Sequence, residues 1–332
     1  MKRQTITGVA ALLTLVLASV WNDALRESIL EAGERCLTVL IPSLYFYSML
    51  AAFCVRSGGL RAMSRYLGKN GLLWGVFLFS QIGGYPVGAQ LLHELTRTGE
   101  MDTCQAKRLQ CICFGCGPGF LLGTVGLGFP TVLSLWVMLS VMLPHLLLAP
   151  LILRGLEQKE TLPRKLPFAQ QITQAAESAA DAMLKVTAMI LAFAAVMGIV
   201  EGMGVFALLP GHSAAVVRSV LEVSTVTELR PSGGSLPMAA ACLSFGGICV
   251  HLQVAAISGG AVDWGRFWLF RLSASAMTYG ICAVGVRYLF RGAVPVFLPE
   301  IEPRLTSGSI IPGACLLVMS VMLLRRSDRS AL

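Results

Sequence analysis

Long apolar runs separated by short basic loops set the pattern of this chain. Runs at 28–55, 131–153, 181–205, 236–258, 266–290 and 307–324 each approach the roughly 20 residues that a helix needs to cross about 30 Å of hydrocarbon. Three apolar stretches are interrupted: 72–96 at Gly83-Gly84, 109–127 at Gly115-Cys116-Gly117-Pro118-Gly119, and 236–258 at Gly246-Gly247. Each interruption frees backbone N–H and C=O groups that lipid cannot satisfy. Such breaks persist at membrane depth only where protein shields them or a cavity lies beside them. Breaks at corresponding places in two halves of a chain are a sequence pointer to a transport site.

Basic residues sort the loops. Lys2-Arg3, Arg56 to Lys69, Arg97 to Arg108, Arg154 to Lys165 and Arg325 to Arg329 mark the cytoplasmic side. Leu72 to Thr96 lies between two such loops, so it enters and leaves by one face as a re-entrant hairpin turning at Gly83-Gly84. Residues 212–229 form a second hairpin, from the outside. The expected fold is an all-α polytopic membrane protein of about eight spanning helices plus two re-entrant or broken-helix hairpins. The order span, hairpin, broken span, span occurs twice with opposite orientation, an inverted repeat. The expected parts are an N-terminal membrane helix at 1–24, a first repeat at 25–155 and a linker at 156–176. A second repeat at 177–291 and a C-terminal helix with a basic tail at 292–332 complete them.

Composition agrees with this. The 332 residues are 55% hydrophobic and 13% charged, with a mean hydropathy of +0.72, which excludes a soluble domain. The net charge of +8 is spread over short loops and reads as orientation signal and headgroup contact, not nucleic-acid binding. Residues 4–20 follow Lys2-Arg3 like a signal peptide, but Ala18-Ser19-Val20 is a mediocre cleavage site. An uncleaved anchor is the expectation, with cleavage the alternative. The ten cysteines are scattered through apolar segments and act as small hydrophobes. Cys113 and Cys116 make one CxxC with no second pair, so no metal is expected. No zinc-protease, phosphate-loop or nucleophile-elbow motif is present. Neither enzyme activity nor a cofactor is expected.

The breaks place helix N-termini around Pro86, Pro118 and Ile248. Pro suits a first helical position, and free N–H groups at the positive dipole end suit an anion. Gly83, Gly84, Gly117, Pro118, Gly246 and Gly247 are therefore expected at a solute site, with Ser244 beside them. Close helix packing is the other role such glycines serve. Glu222 lies in an apolar stretch, where a carboxylate is costly and usually functional; an ion pair with Arg218, four residues earlier, is the alternative. Gln81 and Gln253, and less so Gln90, offer both donor and acceptor. Tyr85 and Phe245 can stack on an aromatic solute or pack in the core. His251 has Gly247 one turn before it, so its partner must come from another segment or from the solute. His145 follows Pro144 and reads as a packed residue at a kink.

At these motifs the chain resembles the YlbJ-type sporulation integral membrane proteins, within the group carrying the nucleoside-recognition Gate domain. The resemblance covers about residues 25–290. It rests on Gly83 to Ala89, the basic stretch with Arg97 and Ala106 to Leu109, and Cys113 to Pro118. Leu221-Glu222-Val223-Ser224-Thr225 and Phe245 to Val254 complete it. The break reads Phe114-Gly115-Cys116-Gly117 where the family has Asn and Ser, and His251 stands where Gln is common. The resemblance implies a role in endospore formation: moving a small anion, dipicolinate, across the mother-cell-derived membrane around the forespore. Ser224 and Thr225 enter as site residues by this route. Membrane lipid and other sporulation membrane proteins are the implied partners. Alternatives are a Gate-domain carrier of nucleosides or another polar solute, and a non-transporting assembly factor.

Overall fold

The computed structural model describes residues 2–68, 70–121, 131–156, 166–229 and 236–290, and every regular element among them is helical. Five helices are long and apolar enough to cross a membrane: Asn22–Arg56, Val132–Leu153, Phe168–Gly202, Leu236–Ile257 and Trp264–Tyr288. This is the makeup of a multi-pass membrane protein. Leu135, Leu139, Leu146 and Leu147 on one of them, and Leu269, Leu272 and Val284 on another, stand exposed. Bare aliphatic faces of that extent suit lipid, not water.

The first long helix is built from α2 (Asn22–Arg35), a π turn (Cys36–Leu40) and α3 (Ile41–Arg56). Pro42 accounts for the π turn. It has no N–H for the Thr38 carbonyl, and its ring crowds the preceding turn; the Ile41 N–H reaches back five residues to Cys36. α10 (Phe168–Gly202) matches it at 35 residues, about 52 Å at 1.5 Å per residue. The two run antiparallel. Gly198 and Gly202 of α10 abut Ala24, Leu25 and Trp21 at the start of α2. At the far end Gln174 meets Arg56. The molecule thus has a Trp21–Gly202 end and an Arg56–Gln174 end.

α9 (Thr131–Leu153) and α14 (Trp264–Tyr288) form a second pair. Gly285 makes room for the Trp136 ring, whose Nε1 donates to the Cys282 carbonyl at 3.3 Å. Near the N-terminus α1 (Lys2–Val20) packs on α2 and leaves Leu12, Leu13, Leu15 and Val16 bare.

Shorter elements fill the centre. α4 (Gly59–Ser64) and a 3-10 turn lead to α5 (Gly71–Gly83). Gly84, at φ +88°, then reverses the chain into α6 (Tyr85–Arg97), which packs back along α5. At 13 residues each, these arms are about 20 Å long, too short to cross. α7 (Thr103–Gln110) opens with a capping box of Asp102 and Gln105 and ends at Cys111; the chain restarts as α8 (Pro118–Phe120). α11 (Gly211–Leu221) stops at Glu222, whose backbone is extended, and a 3-10 segment (Val223–Leu229) turns back. Arg218 on one arm binds Glu228 on the other at 3.2 Å. α12 (Leu236–Phe245) breaks at Gly246 (φ +88°) and resumes as α13 (Gly247–Ile257).

Several expected boundaries move. The first long helix begins at Asn22, not 28. Residues 168–176, assigned to the linker, are helical and open α10 after Pro167. The expected crossing at 307–324 and the last part of 109–127, residues 122–127, lie outside the described residues.

Candidate functional site: two chain reversals around a cleft

Each reversal rests on the helix break of its own half. A Cβ added to Gly84 would come within 3.3 Å of the Gly117 nitrogen, and one on Gly247 within 2.8 Å of the Val223 nitrogen. The breaks also touch each other. The Tyr85 hydroxyl donates to the Leu243 carbonyl at 2.5 Å, and the Tyr85 and Phe114 rings lie 4.9 Å apart. Gly246 is pressed against Phe114, where a Cβ would sit 2.5 Å from the ring. Positive φ and this closeness together explain why glycine stands at the first reversal and at the second helix break.

Between the reversals lies a cleft with about 30 Å³ of free space, room for one or two waters. Gly84, Tyr85, Pro86 and Gly117 line one wall, and Glu222, Ser224 and Gln253 line the opposite one. Leu40, Leu44, Val186 and Ile190 from the long helices close the sides. One Glu222 oxygen accepts from the Ser224 N–H at 3.2 Å, and the Cys36 and Cys249 thiols stand beside the carboxylate. Gln253 Nε2 reaches the Cys249 sulfur at 3.3 Å.

The cleft adjoins a much larger cavity of about 480 Å³ at the Trp21–Gly202 end, sharing Leu40, Ile190, Glu222 and Ser224 with it. Its titratable lining is Glu27, Glu31, Glu201, Glu222 and Glu228 against Arg35 and Arg218. Arg218 binds Glu201 at 2.6 Å and Glu228 at 3.2 Å. The ion pair expected between Arg218 and Glu222 does not form, because Arg218 turns to these two. Glu222 faces both cavities instead.

Arg271, from the middle of α14, clamps the breaks from behind. It is wholly buried and has no carboxylate partner among the described residues. Its guanidinium donates to the carbonyls of Cys111, Phe114 (3.1 Å) and Ser244 (3.4 Å). These are carbonyls freed where α7 and α12 end, so a cation meets the negative ends of two half-helices. A further donor reaches His145 Nε2 at 3.0 Å, while His145 Nδ1 faces the Val141 carbonyl at 2.8 Å. That pattern assigns the proton to Nδ1 of a neutral imidazole. The Phe114 ring covers the guanidinium at 4.4 Å, a cation–π contact that adds to its shielding.

Other expected site residues serve the breaks without lining the cleft. Gln81 Nε2 donates to the Ile112 carbonyl at 3.0 Å. Gly83 leaves room for Val87, and Pro118 opens α8 next to Gly117. The Ser244 carbonyl serves Arg271. Thr225 lines the larger cavity, its hydroxyl on the Glu222 carbonyl at 2.8 Å. His251 finds its partner within its own broken helix: Nε2 lies 2.8 Å from the Phe245 carbonyl released by the break. Gln90 donates to Ser178 at 3.2 Å, away from the cleft.

Arg271 and the π turn escaped the sequence reading. An arginine in the interior of the apolar run 266–290, whose other two, Arg266 and Arg287, lie near its ends, was the available signal, since such charges are rare and purposeful. Among the described residues no group of three or more His, Cys, Asp or Glu side chains is placed to hold a metal. Comparison with family models, curated proteins and solved structures returns no match.

Proposed function

We propose that the chain is a secondary transporter that exports a small anionic solute by alternating access around the two reversals. The observation that carries this reading is the cleft itself. Two glycine-broken segments from different halves meet there, beside a larger cavity at the Trp21–Gly202 end.

The order of the described elements supports an internal repeat. Each half runs long helix, reversal, broken helix, long helix. The α5–α6 reversal enters from the Arg56–Gln174 end and the α11 reversal from the Trp21–Gly202 end. Counted this way the chain has about eight crossings and two re-entrant hairpins, halves of opposite sense that can rock against each other. Arg56, Arg61, Arg65, Arg97, Lys107 and Arg108 gather at one end, which the positive-inside rule assigns to the cytoplasm. The acidic cavity then faces outward.

This asymmetry favours outward movement of an anion. The basic end concentrates it, and the carboxylates of the outer cavity weaken its hold on release. Within the cleft the start of α6 offers its positive dipole end to a carboxylate, although Pro86 has no N–H and that of Val87 is held by the Gly84 carbonyl, and Tyr85 offers an aromatic face. Dipicolinate, implied by the family resemblance, carries the charge and the aromatic ring these groups would receive; the cleft, with about 30 Å³ free, must widen to admit it, and the forespore-surrounding membrane is the setting that resemblance implies.

Flux of labelled dipicolinate through proteoliposomes of known orientation tests the proposal. Transfer from the cytoplasmic to the outer face is expected to exceed protein-free vesicles and to resist excess nucleoside. Absence of flux, or full competition by nucleosides, overturns the anion reading; retention of sporulation-partner binding without flux would leave an assembly role.

A further inference from the structure

The cleft is closed towards the Arg56–Gln174 end, and the closure has an identifiable centre. Glu94 on α6 is buried, and Arg56 at the end of α3 binds it at 2.9 Å. Arg97 binds the same carboxylate at 3.2 Å, and the Ser178 hydroxyl of α10 donates to it at 2.8 Å. Arg56 also donates to Gln174 of α10 at 2.6 Å. One carboxylate thus ties together three helices.

These same three helices wall the cleft. Pro86 lies eight residues before Glu94 on α6, about 12 Å along the axis. Val186 lies eight after Ser178 on α10, also about 12 Å, and Leu44 lies twelve before Arg56 on α3, about 18 Å. The polar tie therefore sits one straight step from the cleft, on the side away from the acidic cavity.

Two orphaned polar atoms mark the intervening stretch. Ser48 Oγ on α3 and Gln90 Oε1 on α6 are buried with no hydrogen-bond partner among the described residues. Buried polar atoms are ordinarily paired; the Gln90 amide is served only on its nitrogen, which donates to Ser178. Around them the helices carry Gly88, Ala89, Ala51, Ala52, Ala179 and Ala182, all small and buried. Small residues allow helices to slide or part with little steric change.

We propose that the cytoplasmic half of the solute path runs between α3, α6 and α10, lined by Ser48 and Gln90, and that Glu94 is its gate. The structure is then the outward-open state, with the inner path collapsed. Opening inward requires α6, an arm of the first reversal, to leave α3 and α10, which breaks the Arg56 and Ser178 contacts together. The orphaned atoms acquire water or solute when it does. This rests on the transport reading, but its test does not need the solute.

The test is side-specific labelling by a membrane-impermeant maleimide in oriented vesicles, with reporters Ser28→Cys in the outer cavity and Ser48→Cys in the inner path. Reactivity of the parent chain is subtracted. In the parent background Ser28→Cys is expected to react from outside and Ser48→Cys from neither side. Adding Glu94→Gln should make Ser48→Cys react at least about tenfold faster from the cytoplasmic side, the shift that about 1.4 kcal/mol gives, and slow Ser28→Cys. Native Cys282, buried on α14, reports unfolding. If Ser48→Cys stays unreactive, reacts from outside, or rises only in step with Cys282, the gate is overturned. A responding gate without dipicolinate flux leaves the gate standing and removes the solute assignment.

Discussion

The two reversals, which correspond in the proposed repeat, differ in construction. The first is made of two full helices joined by one glycine, with neutral side chains at its tip: Gly84, Tyr85 and Pro86. The second has one helix, an extended Glu222 and a short 3-10 return, and its tip carries a carboxylate and a hydroxyl. The first is packed on backbone, the second opens on a cavity. A rigid neutral wall facing a looser charged one divides the labour: α5–α6 sets the shape of the cleft, and the Glu222 tip supplies its chemistry.

The largest effect separating the two comes from adding a methyl group to each. In Gly88→Ala the Cβ would sit 2.1 Å from the Cys113 carbonyl oxygen, a backbone atom that cannot step aside. A loss of about 3 kcal/mol is expected, read as a large fall in thermal midpoint in detergent. In Gly247→Ala the nearest atom is the Val223 nitrogen at 2.8 Å, in a short 3-10 return that can shift, which leaves mainly the strain of a side chain at φ +72°, about 1–2 kcal/mol. A smaller loss is expected there. Equal losses would remove the distinction between rigid and looser reversals.

Arg271→Met comes next and strikes both halves at once. Removing the guanidinium orphans carbonyls at the ends of α7 and α12, at about 1–3 kcal/mol for a buried unsatisfied group. Limited proteolysis is expected to cut near both breaks, with Arg271→Lys restoring only part of the protection. Cutting at one break alone would show that the clamp serves a single half.

What the sequence revealed and concealed follows from the same geometry. The first reversal and the second helix break were legible because positive φ at Gly84 and Gly246 restricts residue choice locally. Glu222 was legible because its neighbours are apolar. The targets of Gln81 and His251 were not, since a donor's identity does not say which freed carbonyl it will meet. Arg271 acts on Cys111 and Phe114, some 160 and 157 positions away, a pairing that no local pattern contains. Arg56 was read as a loop charge and Glu94 fell within the 72–96 hairpin, and only the packing of α3, α6 and α10 makes them one buried cluster. The long helices were underestimated because Asn22 to Glu34 is amphipathic and polar enough to resemble a loop.

At the tips themselves, smaller effects should divide by kind. Gly84→Ala puts a side chain at φ +88°, ψ −176°, a region that essentially only glycine adopts, at about 1–3 kcal/mol, and should lower stability and transport together. Glu222→Gln keeps an oxygen for the Ser224 N–H, so its stability change should stay within about 1 kcal/mol. Transport should nevertheless change about tenfold, a difference of about 1.4 kcal/mol in the transport barrier. Flux per folded molecule, measured beside thermal unfolding, checks the pair. If Glu222→Gln instead unfolds the protein with flux per folded molecule intact, the carboxylate is a structural prop and the division of labour fails.

The smallest effect tests the cavity outside the tips. Glu31 and Arg35 form a pair at 3.8 Å with side chains 69% and 45% exposed, so Glu31→Gln should cost less than about 0.5 kcal/mol. It does remove one of five carboxylates lining the outer cavity. If those charges hasten release of an anion, the variant should hold solute more tightly from the outer face, with the effect fading as salt rises. The inner-face affinity should not move, because Glu31 lies far along α2 from the Glu94 cluster. An outer-face change that persists in high salt would point to altered shape, and the cavity's charge would then have no part in setting direction.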